Sequence, residues 1–306
     1  MSTEAQFDAE ESAPAALRAT RPLYWSVRRE LWENRSIYIG PLVGAAVNML
    51  AFLFTLIHLP RSMRALAAGD STQQGDLVMP YGHATMLVTL AAFVVGVLYC
   101  LDALYGERRD RSVLFWKSLP VSDLTTVLAK ASIPLLVLPL IVFAVTAATH
   151  LIMLLVSTGV LLVSGGDVAM LWARLPFVQV ELVTPYALIV MALWLAPIYG
   201  WLLLVSAWAR RAALLWALFP PIAICAFEKI AFNTAHCASL LGYRFVGWFT
   251  QAFAAVPPDH VDPHFIPLPE LAPGQFLTTA GLWVGLLFAA MFLAAAVRLR
   301  RDRGAI

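Results

Sequence analysis

Charge is what this sequence lacks most. Only 13% of its 306 residues are Asp, Glu, Lys or Arg, while 60% are hydrophobic. A soluble domain carries about 25% charged residues, so a soluble globular fold is excluded. The net charge of +2 gives no electrostatic footprint for a nucleic-acid partner. Cysteine is scarce as well. Cys100, Cys225 and Cys237 form neither an even framework nor a CxxC, which argues against a disulfide scaffold or a structural zinc site. The leader lacks the apolar run of a cleavable signal peptide, so the first spanning helix is expected to act as its own insertion signal. Absent motifs narrow the function. Without GxxxxGK[ST] there is no P-loop for ATP. Without HExxH or GxSxG the commonest metalloprotease and serine-hydrolase readings go too. The six histidines include no helical i, i+4 pair within a span. No catalytic, cofactor or metal site is therefore read in this chain.

Long apolar runs are what is present. A helix rises 1.5 Å per residue, so about 20 apolar residues cross roughly 30 Å of hydrocarbon. Six segments qualify: Ile37–Leu59, Ala84–Tyr105, Ile133–Val156, Thr184–Trp208, Ala212–Phe232 and Phe276–Val297. The predicted fold class is an all-α integral membrane protein with six transmembrane helices. The fifth span carries Glu228 and Lys229 near its end and is expected to reach the surface there, because a charge at a helix centre costs about 3 kcal/mol.

Basic residues set the orientation. Sixteen of the 21 fall in the leader, the loop after span two, the turn after span four (Arg210, Arg211) and the tail from Arg298. Those segments, and with them both termini, are expected on the cytoplasmic side of an inner membrane.

Outside the spans, residues 1–20 read as a disordered leader and 21–35 as an N-terminal amphipathic interfacial helix. Leu23, Tyr24, Val27 and Leu31 cover one arc of that helix, with Trp25 and Trp32 at its edge. Arg29, Glu30 and Glu33 lie opposite. The spans occupy the domain 36–306. Its outer loop 233–275 holds Phe245–Val256, apolar but too short to cross, which reads as a membrane-dipping segment. The Pro-rich return contains Asp259, His260, Asp262 and His264, which match no defined metal spacing. Within the spans, Asp102 is near enough to reach Arg108 or Arg109, and His150 reads as an interhelical hydrogen-bonding residue.

The cytoplasmic loop 106–130 opens on charges and continues with Val113 to Trp116 and Leu119 to Val121. Ser122 is placed to cap a helix leading into span three. Such apolar clusters need burial, either under the protein's own bundle or against a soluble partner, and the residues alone leave both open. In order, the loop presents Glu107, Ser112, Leu114, Phe115, Trp116, Leu119, Pro120, Val121, Ser122 and Lys130. This motif, with the layout of residues 21–300, resembles the membrane-spanning permease subunit of ATP-binding-cassette transporters of the type 2 exporter class. Ser112 stands where that family often has Gly. The resemblance implies that the loop carries a coupling helix seated in a separate ATPase subunit, which binds the ATP and Mg. It also implies a second permease chain, identical or related, within membrane lipid. The rival readings are a membrane-embedded enzyme and a non-transport sensor or immunity subunit.

Overall fold

In lipid a backbone amide has no water to bond, so a spanning segment must satisfy its own N–H and C=O groups, which a helix does. The computed structural model describes residues 15–68, 74–110, 121–253 and 271–302, and these are helical apart from short connections and one bridge, Phe253 with Leu271. The elements are α1 (Ala15–Glu33), α2 (Ser36–Ala67), α3 (Gln74–Ala103), α4 (Tyr105–Arg109), α5 (Asp123–Ser132), a π turn (Ile133–Val137), α6 (Leu138–Ser164), α7 (Val168–Arg174), α8 (Phe177–Trp208), α9 (Ala213–Phe232), α10 (His236–Ala252), α11 (Pro273–Thr278) and α12 (Ala280–Asp302). Six helical units are long and apolar enough to cross a membrane: Ser36–Ala67, Leu77–Arg109, Asp123–Ser164, Val168–Trp208, Ala213–Phe232 and Ala280–Asp302. The chain has the fold of an all-α, multi-pass membrane protein.

Several boundaries differ from those read in the sequence. α1 begins at Ala15, six residues before Arg21, because its first residues are strong helix formers. α2 runs through Pro60 to Ala67. The third span starts at Asp123 and crosses a π turn. Pro134 lies within that turn and Pro139 just beyond it, and neither has an amide N–H to give to an ordinary helical bond; Leu138 N bonds five residues back to Ile133 O.

α8 is the most buried span and packs on α12, α3, α10 and α6, while α2 packs on α3 and α6. The α2–α3 approach is close at Gly44, where a Cβ would stand 2.9 Å from the Leu87 carbonyl oxygen. α9 is the least buried span, with only Ala213 and Ala217 buried.

At the end of α9 the chain reverses through Asn233, whose φ of 51° is left-handed. Glu228 reaches across this turn and accepts from the amides of His236 and Cys237 at the start of α10, both at 2.7 Å. A carboxylate there satisfies two amides that a helix N-terminus leaves free. The cysteine count argued against a disulfide framework, and the structure nonetheless joins one pair, Cys225 to Cys237, with 5.2 Å between their Cα atoms. The reversal brings the first turn of α10 back against α9 beside Cys225, which cysteine counting has no means to register.

His150 is fully buried. Its Nδ1 lies 2.6 Å from Glu181 Oε1, and its Nε2 lies 2.9 Å from the Tyr81 carbonyl oxygen. The residue therefore bridges α6, α8 and α3, the interhelical role read for it. Glu181 went unnoticed because the sequence reading began the fourth span at Thr184, whereas α8 begins at Phe177.

Candidate functional site

Of the loop residues named from the sequence, Glu107, Val121, Ser122 and Lys130 flank a segment, 111–120, that lies outside the described residues. Ser112, Leu114, Phe115, Trp116, Leu119 and Pro120 belong to it. Val121 is half-buried and Ser122 exposed. Ser122 caps α5 as read, its hydroxyl oxygen accepting from the Thr125 amide at 3.1 Å. Glu107 and Lys130, at the two ends of the loop, come together: Lys130 Nζ stands 3.1 Å from Glu107 Oε1.

Their meeting is the centre of a larger ion cluster. Lys130 Nζ also donates to Glu30 Oε1 at 2.8 Å, where Arg29 Nη2 donates at 2.8 Å as well. Tyr99 donates its hydroxyl proton to Glu30 Oε2 at 2.8 Å. Arg29 Nη2 lies 3.4 Å from Glu107 Oε1. Arg300 pairs with Glu107 Oε2 and gives its Nε–H to Asp123 Oδ1 at 2.9 Å. Three cations, Arg29, Lys130 and Arg300, thus face three carboxylates, Glu30, Glu107 and Asp123. Glu33 lies at the rim, 3.7 Å from Arg29.

Burial makes this arrangement demanding. Glu30 is 1% exposed and Lys130 2%. An ion withdrawn from water persists only when its charge is matched and its remaining lone pairs or protons are bonded. Desolvation alone would raise the Glu30 carboxyl; Lys130 and Arg29 outweigh it and hold the group below the ordinary carboxylate range. Arg29 shows the mirror image: desolvation works against its charge, and Glu30 foremost, with Glu33 and Glu107, more than restores it.

A second fastening lies beside the first. Arg108 Nη2 donates to the carbonyls of Ser206 at 2.7 Å and Ala209 at 2.6 Å, at the end of α8. The Ser206 hydroxyl accepts in return from the amides of Leu104 at 3.0 Å and Tyr105 at 2.9 Å. Arg109 pairs with Asp110 at 3.1 Å. Asp102, read as a partner of Arg108 or Arg109, acts electrostatically on Arg109 beside Asp110.

The cluster joins α1, α3, α4, α5 and α12, and Arg108 adds α8. Its chemistry is electrostatic fastening. The sequence reading set Glu30 on the polar face opposite the apolar arc of α1, and the structure gives that face a different use. Glu30 points into the bundle, while Tyr24, Trp25 and Trp32 are more than half exposed. Val27 and Leu31, beside the charged face, pack on the core. The sequence reading missed Arg29, Glu30, Tyr99, Asp123 and Arg300 as a set, since their spacing gives no local signal. The available hint was a pair of acidic residues, Glu30 and Glu33, inside an otherwise basic, aromatic segment. Compared with known proteins, the chain matches no family model, no curated protein and no solved structure.

Proposed function

We propose that this chain is the permease subunit of an ATP-binding-cassette exporter, with ATP bound and hydrolysed on a separate ATPase subunit docked to the loop 106–130. The observation that carries this reading is the anchoring of the loop at both ends. Glu107 and Arg108 hold it before residue 111; Asp123 and Lys130 hold it after residue 120. A displacement imposed on the loop by a partner reaches α1, α8 and α12 through buried ion pairs and hydrogen bonds. Such a partner shifts the bundle between states only by its differential affinity for them.

The proposed orientation puts the ion cluster and both termini on the cytoplasmic side of the inner membrane. The disulfide lies at the opposite end of the bundle, which accords with an oxidising compartment there. A second permease chain completes the pathway, and the apolar, scarcely buried α9 supports a pairing surface on that helix.

The test uses Trp116→Asp and Leu119→Asp. Each apolar side chain contributes about 1.5–3 kcal/mol when buried in a partner's groove. The variants are expected to insert and keep their thermal stability while losing ATPase co-purification or substrate-stimulated hydrolysis. Loss of stability in step with activity would instead place these residues under the protein's own bundle. Unchanged binding and coupling would sink the reading.

A further inference from the structure

Most polar side chains inside this bundle meet a partner, so those left over carry information. Near the end opposite the ion cluster, three buried donor atoms meet no acceptor among the described residues: Nε and Nη2 of Arg244 and Nε1 of Trp194. They belong to one constellation. The Arg244 guanidinium lies over the Trp194 ring, 4.7 Å from its centroid, and Trp194 is fully buried. Arg244 Nη1 is satisfied, donating to the Gly281 carbonyl at 2.9 Å. The sequence makes room for this group. Gly285 lies one turn beyond Gly281 on α12, and a Cβ there would collide with the guanidinium.

The chemistry of the set is one-sided. It offers a cation and an indole N–H and contains no acceptor for either Nε, Nη2 or Nε1. A half-buried guanidinium with two shielded donors and no counter-charge is costly. Burial pulls its pKa below the ordinary value. An oxyanion supplies negative charge and lone pairs together, and the planar guanidinium is shaped to receive two of its oxygens.

The depth narrows the choice further. Gly281 and Arg300 are 19 residues apart on α12, which is roughly 28 Å along a helix. That is close to the hydrocarbon thickness of about 30 Å. If Arg300 marks one interface, Arg244 stands near the headgroup level of the other. On the same face of α10, one turn before Arg244, Leu240 is exposed, an apolar contact suited to an acyl chain. We propose that Arg244 and Trp194 form a receptor for a phosphate-type oxyanion, carried by the headgroup of an anionic lipid. The proposal does not depend on the exporter reading.

Purified protein is compared in phosphatidylcholine nanodiscs with and without phosphatidylglycerol, and in phosphatidylcholine with added inorganic phosphate. Lipid retention is read by native mass spectrometry and stability by thermal unfolding. The wild type is expected to retain phosphatidylglycerol selectively and to unfold at a higher temperature with it. Arg244→Gln is expected to lose that selectivity by about tenfold or more. Trp194→Phe keeps the ring and removes only the N–H, and is expected to lose a smaller factor while staying folded. Stabilisation by phosphatidylglycerol alone assigns a lipid headgroup. Stabilisation by inorganic phosphate as well keeps the receptor and assigns its ligand to the free anion. Equal retention by wild type and Arg244→Gln, or no anion preference in any arm, overturns the proposal. So does anion uptake that appears only in the triple variant Asp259→Asn, Asp262→Asn, Glu270→Gln, which would mean that a carboxylate of the chain already fills the site.

Discussion

Lys130 and Glu30 stand 100 residues apart in the chain, and the Lys130 ammonium donates to the Glu30 carboxylate at 2.8 Å. Neither is wetted, so their attraction is little screened and their desolvation is correspondingly costly. What tips the balance is the company they keep. Tyr99 and Arg29 take the other positions on Glu30, and Glu107 shares Lys130. The pair is one unit of a matched set, and it should respond to mutation as a unit.

Removing one member leaves a buried charge without its partner. Lys130→Met is therefore expected to destabilise the protein by about 3 kcal/mol or more. The double variant Glu30→Gln, Lys130→Met should lose less than the two single losses together, because it removes both charges. Denaturant unfolding in detergent gives the comparison. Strictly additive losses would show that the two residues are not coupled.

Acid should loosen the same cluster. Glu30 is held below its ordinary value of 4.5, so the folded protein binds this proton less readily than the unfolded chain. The stability it supplies is full above about pH 4.5 and is lost as pH falls through the lower, folded-state pKa. Thermal unfolding across pH 3–7 is expected to show that decline in the wild type and a flatter acid limb in Glu30→Gln. An identical acid limb in both would remove Glu30 as its source.

The His150 bridge makes a separate prediction. His150→Phe removes both side-chain contacts of the bridge, to Glu181 Oε1 and to the Tyr81 carbonyl oxygen, and is expected to cost about 1–3 kcal/mol. Glu181→Gln keeps an oxygen at that position and should cost less. A reversed order in thermal unfolding would contradict this account of the bridge.

Topology is tested by single cysteines. The native thiols do not compete, since Cys225 and Cys237 are bonded and Cys100 is buried. Ser164→Cys, at the far end of α6, should react with an impermeant reagent in intact cells. Ser122→Cys, beside the ion cluster, should react only after lysis. Labelling of Ser122→Cys from outside would invert the proposed orientation.

Much of the fold was legible because lipid leaves the backbone few options. A run of apolar residues long enough to span becomes a helix, and six such runs became six such helices. The ends were less legible, since a helix continues past Leu59 or starts before Ile133 wherever its polar residues find partners. The Ser122 cap was readable too, because a cap and its amide lie three residues apart. Glu107 and Lys130 were picked out through a resemblance in motif, which did not say that they touch.

What the sequence by itself determined about this protein is thus its partition between lipid and water: where helices run and where charges gather. Tertiary structure alone decided which charges turn inward. Glu30 reads as a surface residue because its neighbours in sequence are charged and aromatic. It is buried because Lys130, 100 residues on, matches its charge and Tyr99, 69 residues on, bonds its second oxygen. Arg300 reads as part of a basic tail, yet it pairs with Glu107, 193 residues away. The free energy of a buried charge depends on what surrounds it in space, and no local window of sequence contains that information.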